Sequence, residues 1–358
     1  MSVGNIIGII NRSVAFSINL MTQPIFNVIA SNQPQTWQEI LSDLITDPKE
    51  LVKALDLNLD SKPVSMAELR KFPLKVPRPF VWAMKKGNWN DPLLRQVWPS
   101  KEEDIKKEGF SHDPLKEKDA NPIAGLLHKY QGRVLLTITS LCAVHCRYCF
   151  RRHFDYDSNS PNREHWKNAI AYIEKDSSIQ EVILSGGDPL ASSDRQLSWL
   201  IQELESVPHL KTLRIHTRMP LVLPQRLTLN LSNLLRETRL KVVIVLHCNH
   251  AQEITDLVRV GLNIMSEAGI ILLNQSVLLA EVNDSPEILA ELSLKLFSAN
   301  VLPYYLHMPD KVIGTVHFSV SRTKALAILK SMQASLPGYL VPQLVQEEPE
   351  KPSKTHLI

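Results

Sequence analysis

From Arg133 onward the chain alternates short apolar runs with amphipathic stretches. Six runs stand out: VLLTIT (134–139), EVILSG (181–186), TLRIHT (212–217), KVVIVLHC (241–248), IILLNQSVLL (270–279) and PYYLHM (303–308). Near-continuous Val, Ile and Leu between turn residues reads as strands of a parallel sheet covered by helices. The intervening stretches, such as QLSWLIQELESV and SPEILAELSLKLFSA, carry apolar residues at helical spacing. Six strand–helix units in a row predict an α/β fold, a partial (β/α)6 barrel over residues 123–318. Its active site then belongs at the carboxyl ends of the strands. The chemistry-bearing residues fall there. Three cysteines follow the first strand, Ser185-Gly186-Gly187-Asp188 closes the second, His216 the third, His247 the fourth and Asp310 the sixth.

Outside this region the pattern differs. Residues 1–35 read as an irregular extension, or as a start assigned too early, with Met21 the true one. Residues 36–122 read as short helices interrupted by prolines. TWQEILSDLITDPKELVKAL carries its punctuation at Asp47-Pro48, and FPLKVPRPFVWAM and NDPLLRQVWPS follow. Residues 319–358 comprise a helix, SRTKALAILKSMQASL, capped by Ser321 and stopped by Gly338, and a tail rich in proline and charge.

Composition narrows the function classes. The chain has 358 residues, 44% of them hydrophobic, enough for a sizeable core. A net charge of +3 points to neither nucleic acid nor a membrane surface. No apolar run reaches the roughly 18–20 residues of a membrane span. The opening MSVGNIIGIINRSVAFSINLM lacks a basic start, and Asn11, Arg12 and Ser13 break its apolar run, so a secretory signal is not expected. A reducing, cytoplasmic setting is.

Of four cysteines, three are bunched as Cys142, Cys146 and Cys149, in a C-x3-C-x2-C spacing unlike a disulfide framework. Three thiolates cannot by themselves close a tetrahedral zinc site. Cys248 lies far downstream in an apolar run and reads as a packing residue. Three cysteines suit a [4Fe–4S] cluster whose fourth iron stays open to a small molecule. Structural zinc with a further ligand is the competing reading.

CAVHCRYC resembles the radical S-adenosylmethionine signature, and SGGDPL (185–190) resembles that family's glycine-rich strand end. DPLLRQV, GLLHKYQGRVLL, CRYCFRRHF, LRIHTRMP, PYYLHMPD, GYLVP and PSKT extend the likeness, over about residues 37–358, to the lysine 2,3-aminomutases. The resemblance implies three cofactors. Cys142, Cys146 and Cys149 would hold the [4Fe–4S] cluster. S-adenosylmethionine would sit on the open iron beside Ser185, Gly186, Gly187, Asp188, His247 and Gln275. Pyridoxal phosphate would be held as an imine on Lys354, with Lys129, Tyr130 and Arg133 at its phosphate. The substrate L-lysine would place its carboxylate on Arg151 and its ε-ammonium between Asp310 and Glu347, where the lysine mutases carry Asp. Without the resemblance, Lys354 is an ordinary tail lysine, Glu347 a surface residue, and His247 and Gln275 core residues of strands.

The implied reaction moves the lysine nitrogen from C2 to C3, using a radical generated when an external electron donor reduces the cluster. CRYCFRRHF, LLHKY, PYYLHMPDKVIGTVHF and GYLVP look like the bacterial branch that makes (R)-β-lysine for elongation factor P, where a lysyl-tRNA-synthetase-like ligase attaches it. No cysteine follows Cys248, so a structural zinc of the kind found in longer, catabolic mutases is not expected. A free-standing mutase serving other metabolism is the alternative. A non-catalytic iron–sulfur or zinc module would lack SGGDPL and PSKT.

Overall fold

A computed structural model describes residues 35–154, 162–349 and 351–358. The chain divides into two units, Met1–Ser42 and Asp43–Ile358. In the first, the helix Trp37–Ser42 is described. The expectation for residues 1–35 lies outside the described residues except at Gln35.

The second unit is built on one nine-stranded sheet whose spatial order follows the sequence. Its strands are β1 Leu126–Tyr130, β2 Arg133–Thr139, β3 Glu181–Gly186, β4 Thr212–Thr217, β5 Lys241–Leu246, β6 Ile271–Val277, β7 Leu302–His307, β8 Gln343–Gln346 and β9 Thr355–His356. Neighbours from β2 to β8 are parallel. β1 folds antiparallel onto β2 and β9 antiparallel onto β8. The six apolar runs form β2 to β7. Sequential order in a parallel sheet curls it one way, and the order ends at β1 and β9, so the barrel is partial and open.

Helices follow the strands: Arg163–Lys175, Asp194–Glu205, Leu229–Glu237, Asp256–Glu267, Pro286–Ser298 and Arg322–Ser335. Each begins at a side chain that accepts a backbone N–H: Asn162, Ser193, Thr228, Thr255, Ser285 and Ser321. That oxygen satisfies a donor the first turn would otherwise leave open, which explains where each helix starts. β4 shows how the layers divide. Leu213, Ile215 and Thr217 are buried, while Arg214 and His216 between them are half-buried. With a period of two, the first set faces the helices and the second faces the interior of the curl.

Two boundaries differ from the sequence reading, and the break at Asp47-Pro48 agrees with it. The last helix ends at Ser335, and Leu336 is already extended (φ −120°, ψ 151°) because Pro337 follows it, so proline stops the helix before Gly338 is reached. β5 ends at Leu246, which puts His247 and Cys248 just beyond the strand. TWQEILSDLITDPKELVKAL forms two helices, the second (Pro48–Ala54) capped by Asp47. Among the described residues no helix is long and apolar enough to cross a membrane.

Candidate active site

The cysteines occupy a loop directly after β2, pinned from two sides. The backbone N–H groups of His145 and Arg147 donate to Lys75 and Gln96 carbonyls of the helical region. Beneath the loop lies a fully buried ion cluster. Glu103 accepts from Arg147 through both oxygens (2.8 and 2.6 Å) and from Arg152 (2.6 Å). Glu68 accepts from Arg152 at 2.9 Å. Arg152 therefore serves the loop and does not face a ligand. Cys146 packs against Tyr148, Leu279, Val282 and Phe318, and Arg218 donates to its sulfur at 2.8 Å. Burial and the neighbouring thiols push Cys142 well up and Cys149 up to about 11. Two such thiols ionise together only against a compensating cation. Among the described residues no three His, Cys, Asp or Glu converge on one metal ion. Thiolates that each bind a different iron of a cluster need no common focus. The donor set thus fits an iron–sulfur cluster.

The glycine-rich strand end is explained by the chain's own backbone. A Cβ on Gly187 would lie 2.3 Å from the Leu141 carbonyl oxygen. One on Gly186, whose φ is +116°, would lie 2.5 Å from that of Thr139. Both glycines let β3 press against the start of the cysteine loop. Asp188 is also engaged internally. Its carboxylate accepts from Leu190 N and Thr217 Oγ1 on one oxygen and from Arg218 N and Met219 N on the other. It is a latch between the ends of β3 and β4. For these three residues the expectation of direct ligand contact has an internal competitor that sequence does not show.

The tail folds into the sheet. β9 brings Lys354 to Glu347, an ion pair of 2.5 Å. Lys129, from β1, lies 3.4 Å from Glu347 and 3.9 Å from Glu117. Burial and the neighbouring Glu347 carboxylate raise Tyr130, and Arg133 stacks over the Tyr130 ring at 4.7 Å. Burial raises Glu347, but Lys354 and Lys129 outweigh it and hold the carboxylate at about 2. Burial, with Glu347 nearby, lifts Asp310 to about 7. Lys354, Lys129, Tyr130, Glu347 and Asp310 are thus one interacting group. Arg151 is engaged within the protein. Its Nε and Nη2 form a two-toothed pair with Glu117 (2.9 and 2.7 Å), and Nη1 donates to Ser185 at 3.0 Å. Glu117 was not singled out in the sequence, because a lone Glu in a loop carries no local signal. Gln275 lies half-buried on β6 beside Tyr305.

Three histidines at the strand ends have no hydrogen-bond partner for a buried Nε2: His216, His247 and His307. Burial depresses all three, His216 well below its ordinary value and His247 and His307 to about 3, so each is neutral. His247 stacks on Tyr148 with ring centres 5.6 Å apart. A neutral imidazole with an unsatisfied buried nitrogen fits a ligand that hydrogen-bonds there. His307 escaped the sequence reading, although a His at an inward position of an apolar strand was a legible cue.

A family model described as the radical SAM superfamily matches residues 136–239. The L-lysine 2,3-aminomutase of Haemophilus influenzae is 50% identical over 323 residues, 90% of this chain and 96% of the relative. This chain belongs to the lysine 2,3-aminomutase family. The Escherichia coli relative of the same description is 45% identical over 92% of this chain and 97% of its own length. That of Clostridium subterminale is 33% identical over 92% and 80%. A radical SAM methyltransferase structure from Sphaerobacter thermophilus is more distant, at 14% identity and a TM-score of 0.43 over 62% of this chain and 68% of that one. The chain is accordingly an isomerase whose family uses an iron–sulfur cluster, S-adenosylmethionine and pyridoxal phosphate.

Proposed function

We propose that the enzyme converts L-lysine to (R)-β-lysine in the cytoplasm, for attachment to elongation factor P by a ligase resembling lysyl-tRNA synthetase. The observation that carries the reading is the ion pair of Lys354 with Glu347 beside Lys129 and Asp310. Two lysines and two carboxylates drawn together suit a coenzyme anion and a substrate with charge at both ends. When bound, the cluster and S-adenosylmethionine supply a radical that removes hydrogen from unactivated carbon, and pyridoxal phosphate supplies a π-system for the migrating nitrogen.

The chain's own residues then bind, orient and exclude water. Cys142, Cys146 and Cys149 hold the cluster. His247 and Gln275, with the Ser185–Asp188 strand end, line the S-adenosylmethionine side. Lys354 carries the coenzyme, and Lys129, Tyr130 and Arg133 take its phosphate. With the coenzyme held at Lys354, Glu347 would be available beside Asp310 to take the substrate ε-ammonium. Arg151 exchanges Glu117 for the substrate carboxylate, a bidentate swap suited to guanidinium. Exclusion of water from this site would protect a reactive carbon radical from side reactions. The branch assignment is supported by CRYCFRRHF and PYYLHMPDKVIGTVHF.

The test is oxygen-free reconstitution with iron, sulfide, pyridoxal phosphate, S-adenosylmethionine and a reductant, followed by L-lysine and chiral analysis of the product. R-β-lysine that disappears in Cys146→Ala and Lys354→Ala is expected. The S isomer would remove the elongation-factor branch. No β-lysine from a fully loaded enzyme would overturn the substrate.

A further inference from the structure

The established family chemistry leaves His216 without a task. It is the last inward residue of β4, half-buried, in a strand whose alternate residues Leu213 and Ile215 pack outward. Its Nε2 is buried and meets no protein donor or acceptor. An imidazole nitrogen hidden from water without a partner is destabilising, so a fold gains nothing by keeping it for packing alone. Arg151 donates to Ser185, which follows Leu184, the register partner of Ile215, so Arg151 stands at the end of β4 that carries His216; Arg214, Lys354, Arg151 and His307 are the charges that act on the ring. Two of these are the residues that, in the proposed function, hold the coenzyme and the substrate carboxylate. His307, from β7, has the same orphaned Nε2 and feels Lys354 and Glu347.

Resting on that reading of Lys354 and Arg151, we infer that His216 is a further substrate-binding residue, whose Nε2 hydrogen-bonds the coenzyme-bound amino acid between Arg151 and Lys354. Three cations flank this ring, and burial keeps it uncharged, so it contacts polar atoms without adding a fourth positive charge. It thereby orients an amino acid that an arginine alone would leave free to pivot about its carboxylate. Lysine ties down the far end of the substrate through the carboxylates. His216 acts at the near end and therefore discriminates α-amino acids from amines lacking the carboxyl group.

The experiment needs no radical chemistry. Full-length protein loaded with pyridoxal phosphate is titrated with L-lysine, without S-adenosylmethionine, and the change in the coenzyme's visible absorbance is followed. Wild type, His216→Leu and His216→Gln are compared, with Lys354→Ala as the control and thermal melting as the stability readout. His216→Leu should need about tenfold more lysine for the same change, with coenzyme loading and melting temperature at or above wild type. His216→Gln, which restores a nitrogen donor, should recover most of the affinity. The same half-saturation in His216→Leu as in wild type overturns the inference. So does a loss that tracks a lower melting temperature and is not recovered by Gln. If wild type itself shows no coenzyme band that Lys354→Ala abolishes, the reading of Lys354 fails, and the inference falls with it. A normal band with no effect of His216 leaves that reading intact and removes the inference alone.

Discussion

Replacing Glu103 by Gln tests how the cysteine loop is held. Glu103, Arg147 and Arg152 have fully buried side chains. Glu103 accepts three guanidinium hydrogen bonds of 2.6–2.8 Å, two from Arg147 and one from Arg152. Gln preserves the volume. It also replaces one acceptor oxygen with an NH2 that faces guanidinium donors, and removes the charge that balances two cations. Glu68, already shared with Lys71, is then the remaining anion. Removing one partner of a buried ion pair costs about 3–5 kcal/mol because the other charges stay buried. Against a typical total of about 5–15 kcal/mol this is a large fraction. Urea unfolding of the metal-free protein, followed by circular dichroism, measures it. Asp256→Asn is the control, since the Asp256–Arg259 pair is 85% and 58% exposed and should have no measurable effect. Arg147 stands between Cys146 and Cys149, so the Gln variant should also bind less iron on reconstitution. A Glu103→Gln protein within about 1 kcal/mol of wild type, with full iron loading, would refute the reasoning.

Three other expectations can be checked with the same preparations. Gly187→Ala should lower both stability and iron content, because its Cβ would stand 2.3 Å from the Leu141 carbonyl oxygen, whereas Gly338→Ala, with open space around it, should be near neutral in melting and iron assays. Lysine binding should strengthen as pH rises through about 7, where Asp310, neutral below that pH, becomes the anion an ε-ammonium needs; Asp310→Asn should flatten the profile of lysine KM against pH, and an unchanged profile would remove the assignment. Glu347→Gln should weaken lysine binding about tenfold or more, read from KM, because it removes one of the two carboxylates proposed for the ε-ammonium.

Much of the site was visible in one dimension because its parts are local. The cysteines, SGGDPL and PSKT are short motifs whose residue types carry their chemistry directly. What those motifs touch was not visible. Gly186 and Gly187 read as room for a ligand, yet the space they leave is filled by the backbone at Thr139 and Leu141. Arg151 read as a partner for a substrate carboxylate, and the fold adds a carboxylate of its own, Glu117, 34 residues earlier. Such contacts depend on loops that meet only after the sheet has curled.

The alternation of apolar runs and amphipathic stretches was sufficient by itself to determine β2 to β7, their parallel order and the end of the sheet that carries function, because each strand buries its own side chains and each helix begins at its own cap. It said nothing of β8 and β9. Four and two residues long, with proline and charge around them, they have no period to read and become strands because β7 offers an unpaired edge. That pairing alone brings Lys354 to Glu347, and Glu347 to Lys129 from 218 residues away. Local side-chain pattern decides which segments become strands. Edge hydrogen bonds between distant segments, available only in the folded sheet, decide which charges share the mouth of the barrel.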